Sequence, residues 1–251
     1  MMINRTASEE SEYFKKEGFL HLSGIFSHEE MLQWRRECDR LQQLEIINPS
    51  NNRAHFKNPA LPFPESIEPV VDISPLFKHL AQDERVTNVL RDIFGDAPLL
   101  LKDKLIYHLL GDTYSSLHQD WVFGLREMAA SDDLIAVSFQ IDASDRDNGC
   151  VELYTGYHQP LDLPDEERPL NDTEMQQLDP AHHKVLEAAA GDVLMFHPLT
   201  PHRNEKNHTT YARRSLYFIY NAARCGDLRE KYFETYLQSL HHETASGSTF
   251  F

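Results

Sequence analysis

Gly191-Asp192-Val193-Leu194-Met195-Phe196-His197-Pro198-Leu199-Thr200-Pro201-His202 reads as a tight turn followed by an apolar strand that ends on a histidine. A second strand follows in Arg213-Arg214-Ser215-Leu216-Tyr217-Phe218-Ile219-Tyr220. Its period of two sends Arg213, Ser215, Tyr217 and Ile219 to one face and Arg214, Leu216, Phe218 and Tyr220 to the other. Alternation alone leaves open which face lines a pocket. Upstream, Leu117-His118-Gln119-Asp120 sets an imidazole and a carboxylate at i and i+2. On a strand such side chains leave the same face roughly 6–7 Å apart, so both turn onto one ion, while Gln119 points away.

His202 supplies a third ligand. Two histidines and one carboxylate make a facial triad with open coordination positions, the arrangement that suits non-haem Fe(II) and lets a cosubstrate and O2 reach the metal. An isolated H-x-D is weak evidence among 14 histidines and 40 acidic residues. The turn-and-strand context around His202 and the arginine that follows strengthen it. His197, His158 and His108 read as structural or peripheral.

Four segments in this order resemble the phytanoyl-CoA dioxygenase family of Fe(II)- and 2-oxoglutarate-dependent oxygenases. They are Leu101-Lys102-Asp103-Lys104-Leu105, Leu117 to Asp120, Asn148-Gly149-Cys150 with Gly156-Tyr157-His158, and Gly191-Asp192 through Arg213-Arg214. Tyr13 to Leu20 also looks like the family's N-terminal helix running into a first strand. The resemblance implies a mainly β fold with flanking helices, a double-stranded β-helix (jelly roll, cupin-like) with iron at its mouth. It implies that His118, Asp120 and His202 bind Fe(II) and that Arg213 holds the far carboxylate of 2-oxoglutarate, whose planar shape a guanidinium fork matches. It also makes Lys104 a candidate ligand for cosubstrate or substrate. Where many relatives carry Gly-Ser after the distal histidine, this chain has Arg203-Asn204-Glu205-Lys206-Asn207. Asn204 offers an amide donor to the cosubstrate in place of a serine hydroxyl. Asp120 argues against the halogenating variant, which needs a small residue there.

The expected activity is hydroxylation of an aliphatic C–H in a small polar metabolite or natural-product intermediate, consuming 2-oxoglutarate and O2 and releasing succinate and CO2. Two alternatives stay open: a cupin-like divalent-metal hydrolase or isomerase whose arginine binds a substrate carboxylate, and a non-catalytic metal- or ligand-binding module.

Composition bounds the partners. With 41% hydrophobic and 25% charged residues the chain is an ordinary globular protein. A formal net charge of −16 opposes nucleic acid and anionic membrane surfaces. A small-molecule substrate and a monomer or homodimer are expected. Met1 to Thr6 is not apolar and there is no run of about eighteen apolar residues, so the expected location is cytoplasmic. Cys38, Cys150 and Cys225 form neither a metal-spaced pair nor an even set.

One domain over 1–251 is expected, with helices in about 8–95 packing on a roll at about 99–221. Ser8 to Lys16 reads as a helix capped by Ser8, and Phe19 to Leu22 as a strand. A second helix starts at the Ser27/Glu30 capping box and runs to about Leu44. A third spans Pro75 to Phe94 and stops at Gly95. The Asn- and Pro-rich stretch from Asn48 to Pro64 reads as a loop able to fold over the site. Strands are expected at Leu99 to Leu110, Leu134 to Ile141, Cys150 to Tyr154, Asp192 to Phe196 and Leu216 to Asn221. Pro160 to Lys184 reads as an excursion outside the sheets.

Overall fold

The computed structural model describes residues 7–48, 53–56, 64–109, 116–122, 125–158 and 169–246. The element order is α1 (Ala7–Glu17), β1 (Phe19–Leu22), α2 (His28–Gln42), β2 (Ala54–His55), β3 (Ser66–Ile67), α3 (Pro75–Leu80), α4 (Glu84–Phe94) and β4 (Pro98–His108). Then come β5 (Leu134–Gln140), β6 (Val151–Tyr154), α5 (Asp172–Met175), β7 (His183–Leu186), β8 (Val193–Phe196), β9 (His202–Asn204), β10 (Arg213–Ala222) and α6 (Arg229–Ser246).

The strands form a seven-stranded sheet, β1-β8-β5-β10-β4-β3-β2, and a three-stranded sheet, β7-β6-β9. Every pairing is antiparallel. This is the jelly roll expected from the sequence. Because side chains alternate along a strand, the large sheet carries two separate cores. One face of β10, with Leu216, Phe218 and Tyr220, joins Phe139, Val193 and Met195 beneath Met31, Trp34, Phe77 and Leu90 of the helices. The other face brings Ala136, Leu194, Phe196 and Ile219 against Val151, Leu153 and Leu186 of the small sheet.

Local chemistry explains the helices. Ser27 caps α2: its hydroxyl accepts from the Glu30 amide, and the Glu30 carboxylate accepts from the Ser27 amide, completing the capping box. Met31, Trp34, Cys38 and Leu41, spaced three and four apart, form its buried stripe. The single helix expected from Pro75 to Phe94 is two. α3 ends at Ala81, and Asp83 starts α4 by accepting from the Arg85 amide, so an internal cap outcompetes continuation. Gly95 ends α4 at φ 64°. Ser8, expected as a cap, lies inside α1.

The turn before β8 is held by Asp192, whose carboxylate accepts from the amides of Gly24 and Ala189 and pairs with His21 at 2.8 Å. At Gly191, with φ 92°, a Cβ would stand 2.3 Å from the Phe26 carbonyl oxygen, so glycine is required. The expected excursion over Pro160 to Lys184 is described from 169 on. It contains the short α5 and leads into β7, which sequence alternation did not reveal. Of the expected loop over Asn48 to Pro64, residues 49–52 and 57–63 lie outside the described residues, and β2 lies between them. The suggestion that it covers the site therefore falls mainly outside them.

Candidate metal and cosubstrate site

His118, Asp120 and His202 converge. One ligand atom from each lies within 4.8 Å of the others, with the Nε2 atoms of His118 and His202 each 3.6 Å from an oxygen of Asp120. Donors bound at about 2.1 Å to one ion stand roughly 3–3.5 Å apart, so little adjustment would close the set. The backbone route differs from the strand expected for H-x-D. His118 and His202 pair across an isolated antiparallel bridge, exchanging backbone hydrogen bonds of 3.0 Å, and Asp120 opens a short 3-10 turn over Asp120–Val122. The turn, not strand alternation, swings the carboxylate beside the imidazoles.

Both rings are held in one tautomer. His118 Nδ1 donates to the Ser116 carbonyl at 2.8 Å, and His202 Nδ1 donates to the Thr200 carbonyl at 2.9 Å. With Nδ1 of each ring held on a carbonyl, Nε2 is the atom that faces Asp120, and in the neutral ring it offers its lone pair there, the form that ligates a metal. Burial lowers the pKa of His202, against the opposing pull of the Asp120 carboxylate. For His118 burial works the same way, but the Asp120 carboxylate outweighs it and the pKa is raised. Asp120 is held below the usual carboxylate range. Burial opposes its charge, yet His202, His118 and the Tyr217 hydroxyl outweigh that cost. Burial also keeps the Tyr217 hydroxyl protonated, so it donates to Asp120 Oδ2. The Phe196 ring stacks on His202 at 5.2 Å and backs the site with an apolar wall.

Tyr217 also resolves the face of β10. Because Tyr217 reaches Asp120, the Arg213, Ser215, Tyr217 and Ile219 face looks inward. Arg214 faces out and pairs with Asp142 at 2.8 Å and Asp39 at 3.1 Å. Arg213 is buried, its Nε and Nη2 donating to the carbonyls of Asn148 and Gly149 at 3.1 and 2.7 Å. Two of the five guanidinium donors are thus used along one edge, and the terminal Nη1/Nη2 edge keeps donors for a carboxylate. Burial lowers its pKa to about 10, leaving it charged at neutral pH. Gly149, at φ 81°, is fixed by this packing: a Cβ would stand 2.3 Å from the Glu205 carbonyl oxygen.

The other candidates fall as follows. Lys104 stands opposite Tyr217 in the β4–β10 register and so shares the inward face. Asn204 follows His202 by two residues on β9 and lies on its side of the strand. Gln119 points away, its amide donating to the Leu199 carbonyl at 2.5 Å. Asn207 donates to the carbonyls of His108 and Tyr211, closing the turn before β10. Arg203, unexplained by the sequence, pairs with Glu152 and Glu205 at 2.9 and 2.7 Å. His197 bonds Asp132, and His158 bonds the Lys15 carbonyl, so both stand apart from the triad. His108 does not: it shares the Arg213 face and meets the Ser215 hydroxyl at 3.1 Å.

Sequence reasoning missed a polar layer beside the triad. Lys102 lies 3.6 Å from Glu68, whose carboxylate also accepts from the Tyr232 hydroxyl at 3.3 Å. The His55 ring bonds the Tyr236 hydroxyl. Burial, together with Lys104, lowers the pKa of His55 to about 4, so it is neutral. Tyr232 and Tyr236, four apart on α6, present one face of that helix to the layer.

A model of the phytanoyl-CoA dioxygenase (PhyH) family matches residues 14–215. The chain belongs to this family. It is an Fe(II)- and 2-oxoglutarate-dependent dioxygenase, with O2 as the second cosubstrate. Among its relatives, a 2-aminoethylphosphonate dioxygenase from uncultured bacterium HF130_AEPn_1 is 22% identical over 241 residues, covering 90% of this chain and 86% of that one. A methylphosphonate hydroxylase from Gimesia maris (strain ATCC 29201 / DSM 8797 / 534-30) is 27% identical over 194 residues, covering 77% and 72%. The crystal structure of EctD from S. alaskensis with bound Fe shares the fold at TM-score 0.76 and 19% identity, over 89% of this chain and 80% of that one. The family match ends in β10, so α6 and its tyrosines lie beyond it in this dioxygenase. Among the described residues no helix is long and apolar enough to cross a membrane.

Proposed function

We propose that this dioxygenase hydroxylates an aliphatic C–H of a small polar metabolite, releasing succinate and CO2, with His118, Asp120 and His202 holding Fe(II) and Arg213 holding the distal carboxylate of 2-oxoglutarate. The observation that carries the reading is the pair of Nδ1–carbonyl hydrogen bonds, which leaves two Nε2 atoms and one carboxylate facing a common point. Neutral imidazole nitrogens and a carboxylate suit Fe(II), and three protein ligands leave positions open. Bound there, Fe(II) and the ketoacid would supply the oxidising chemistry. The protein's own tasks are positional. The Tyr217 hydroxyl fixes one oxygen of Asp120, Phe196 shields His202, and Arg213, gripped by two carbonyls, is preorganised for a carboxylate. Asn204 is assigned an amide contact to the cosubstrate. Two of the relatives are named for phosphonates, which favours a small polar substrate.

Succinate release tests the reading. It should require both Fe(II) and O2 and should rise when a true substrate is supplied from a panel of small polar compounds. Turnover with zinc under nitrogen would instead establish the hydrolase alternative.

A further inference from the structure

We propose that Lys104 forms the substrate subsite of this dioxygenase, where its ammonium binds the oxyanionic head group of a small aliphatic substrate and so presents a neighbouring C–H to the metal. The proposal rests on the oxygenase reading above and adds the substrate's chemical class.

Four observations support it. First, Lys104 faces the triad, opposite Tyr217, whose hydroxyl touches Asp120. Second, Lys104 has no hydrogen-bond or ion-pair partner among the described residues, whereas Lys102 on the same face is matched by Glu68. Burial, with the Lys102 charge, lowers the Lys104 pKa, and the carboxylates of Glu68, Glu65 and Asp120 offset this only in part, through space and without touching it. Once a metal takes the charge of Asp120, even that compensation weakens. A partly buried ammonium left so is costly unless a ligand completes it. Third, Lys104 is placed for a second ligand rather than for the ketoacid. Arg213 pairs with His108 at one end of β10, and four residues at about 3.3 Å each separate it from the Tyr217 level, roughly 13 Å. A ketoacid held between the metal and Arg213 would lie on the side away from Lys104.

Fourth, the surroundings are built as a pocket wall. The register places His55, Ser66 and Ile106 in one cross-strand row, and Glu68 continues β3 alongside Lys104. Tyr232 and Tyr236 cover this row from α6, outside the family-matched segment, through Glu68 and His55. A separate groove of about 650 Å³ shares Glu68 and Tyr236 with this wall but is not lined by Lys104 or the triad. Neutral His55 adds no second positive charge, so Lys104 supplies the subsite's only unmatched one among these residues.

Anaerobic titration calorimetry of the protein loaded with Fe(II) and 2-oxoglutarate tests the subsite, with ethylphosphonate, propionate and 1-propanol as probes. At least one anion should bind about tenfold or more tighter than the alcohol, since a charge-assisted hydrogen bond is at stake. Lys104→Met should remove that advantage while the weak visible band of the iron–ketoacid chelate persists. Ethylphosphonate binding tighter than propionate would identify a phosphonate-type head group, and the reverse a carboxylate. Three results would overturn the proposal: anions binding no better than propanol, anion affinity surviving Lys104→Met, or loss of the band in that variant, which would assign the lysine to the ketoacid. If Lys104→Met does not fold, the wild-type comparison of anion with alcohol decides. Absence of the band in the wild type would remove the oxygenase reading itself, and the subsite with it.

Discussion

Along β10, Leu216, Phe218 and Tyr220 turn outward into an aromatic layer in which Phe218 meets Phe139 at 5.2 Å and Phe139 meets Trp34 at 6.3 Å. On the same strand Arg213, Ser215 and Tyr217 turn inward to a buried guanidinium, a hydroxyl on His108 and a hydroxyl on Asp120. One strand thus separates packing from chemistry by a single residue step. The outward face is satisfied by dispersion and area burial. The inward face holds charges whose desolvation is offset only by particular partners and, as proposed above for Arg213 and Lys104, by ligands. Changes on the first face should therefore be read in stability, and changes on the second in binding.

The largest expected effect is on the outward face. Phe218→Ala removes a fully buried ring and should cost about 3–5 kcal/mol in urea unfolding, with the Fe(II) affinity of the folded protein unchanged. Next, Arg213→Met should weaken 2-oxoglutarate binding on the order of thirtyfold or more, read as a raised KM for the ketoacid. If it lowered stability more than Phe218→Ala, Arg213 would be a strut for the 148–149 carbonyls and the contrast between faces would fail.

Tyr217→Phe is a finer probe. Without the hydroxyl on Asp120, Fe(II) affinity should fall by about 10–100-fold with little change in unfolding. The smallest effect concerns the outward ion pairs, where Asp142 joins Arg35 of α2 to Arg214 of β10. Burial opposes the Asp142 charge, but Arg214 outweighs it and the folded-state pKa is depressed. A depressed carboxylate contributes stability that is present above its unfolded value, roughly pH 4, and is lost as pH falls through the folded value. Urea midpoints should therefore drop on acidification in the wild type more than in Asp142→Asn.

The inward residues were only half legible in the sequence. His118, Asp120 and His202 carry chemistry in their residue types and spacing, and the family resemblance singled out Arg213, so they stood out before any coordinates. Which way Arg213 pointed did not, because a period of two is blind to inside and outside; the Tyr217–Asp120 hydrogen bond supplies that sign. β7 and β9 escaped notice because four and three residues rich in His, Lys, Arg and Asn show no apolar alternation. His55 lies in a two-residue strand within the stretch whose Asn and Pro content signals loop, and Glu68 follows a second two-residue strand just beyond it. They matter only through register with β4, and register is a long-range property that local pattern does not encode. α6 left no cue for its role either. Tyr232 and Tyr236 become meaningful only once the helix is seen over the Lys102–Glu68 pair.

The central claim is that two Nε2 atoms and one carboxylate meet at a single Fe(II). Anaerobic titration with Fe(II) in the presence of 2-oxoglutarate, followed by visible absorption, tests it most directly. A weak band should grow to saturation at one iron per chain, vanish in His202→Ala and persist in His197→Ala. A band that survives His202→Ala, or that never forms in the wild type, would contradict the account.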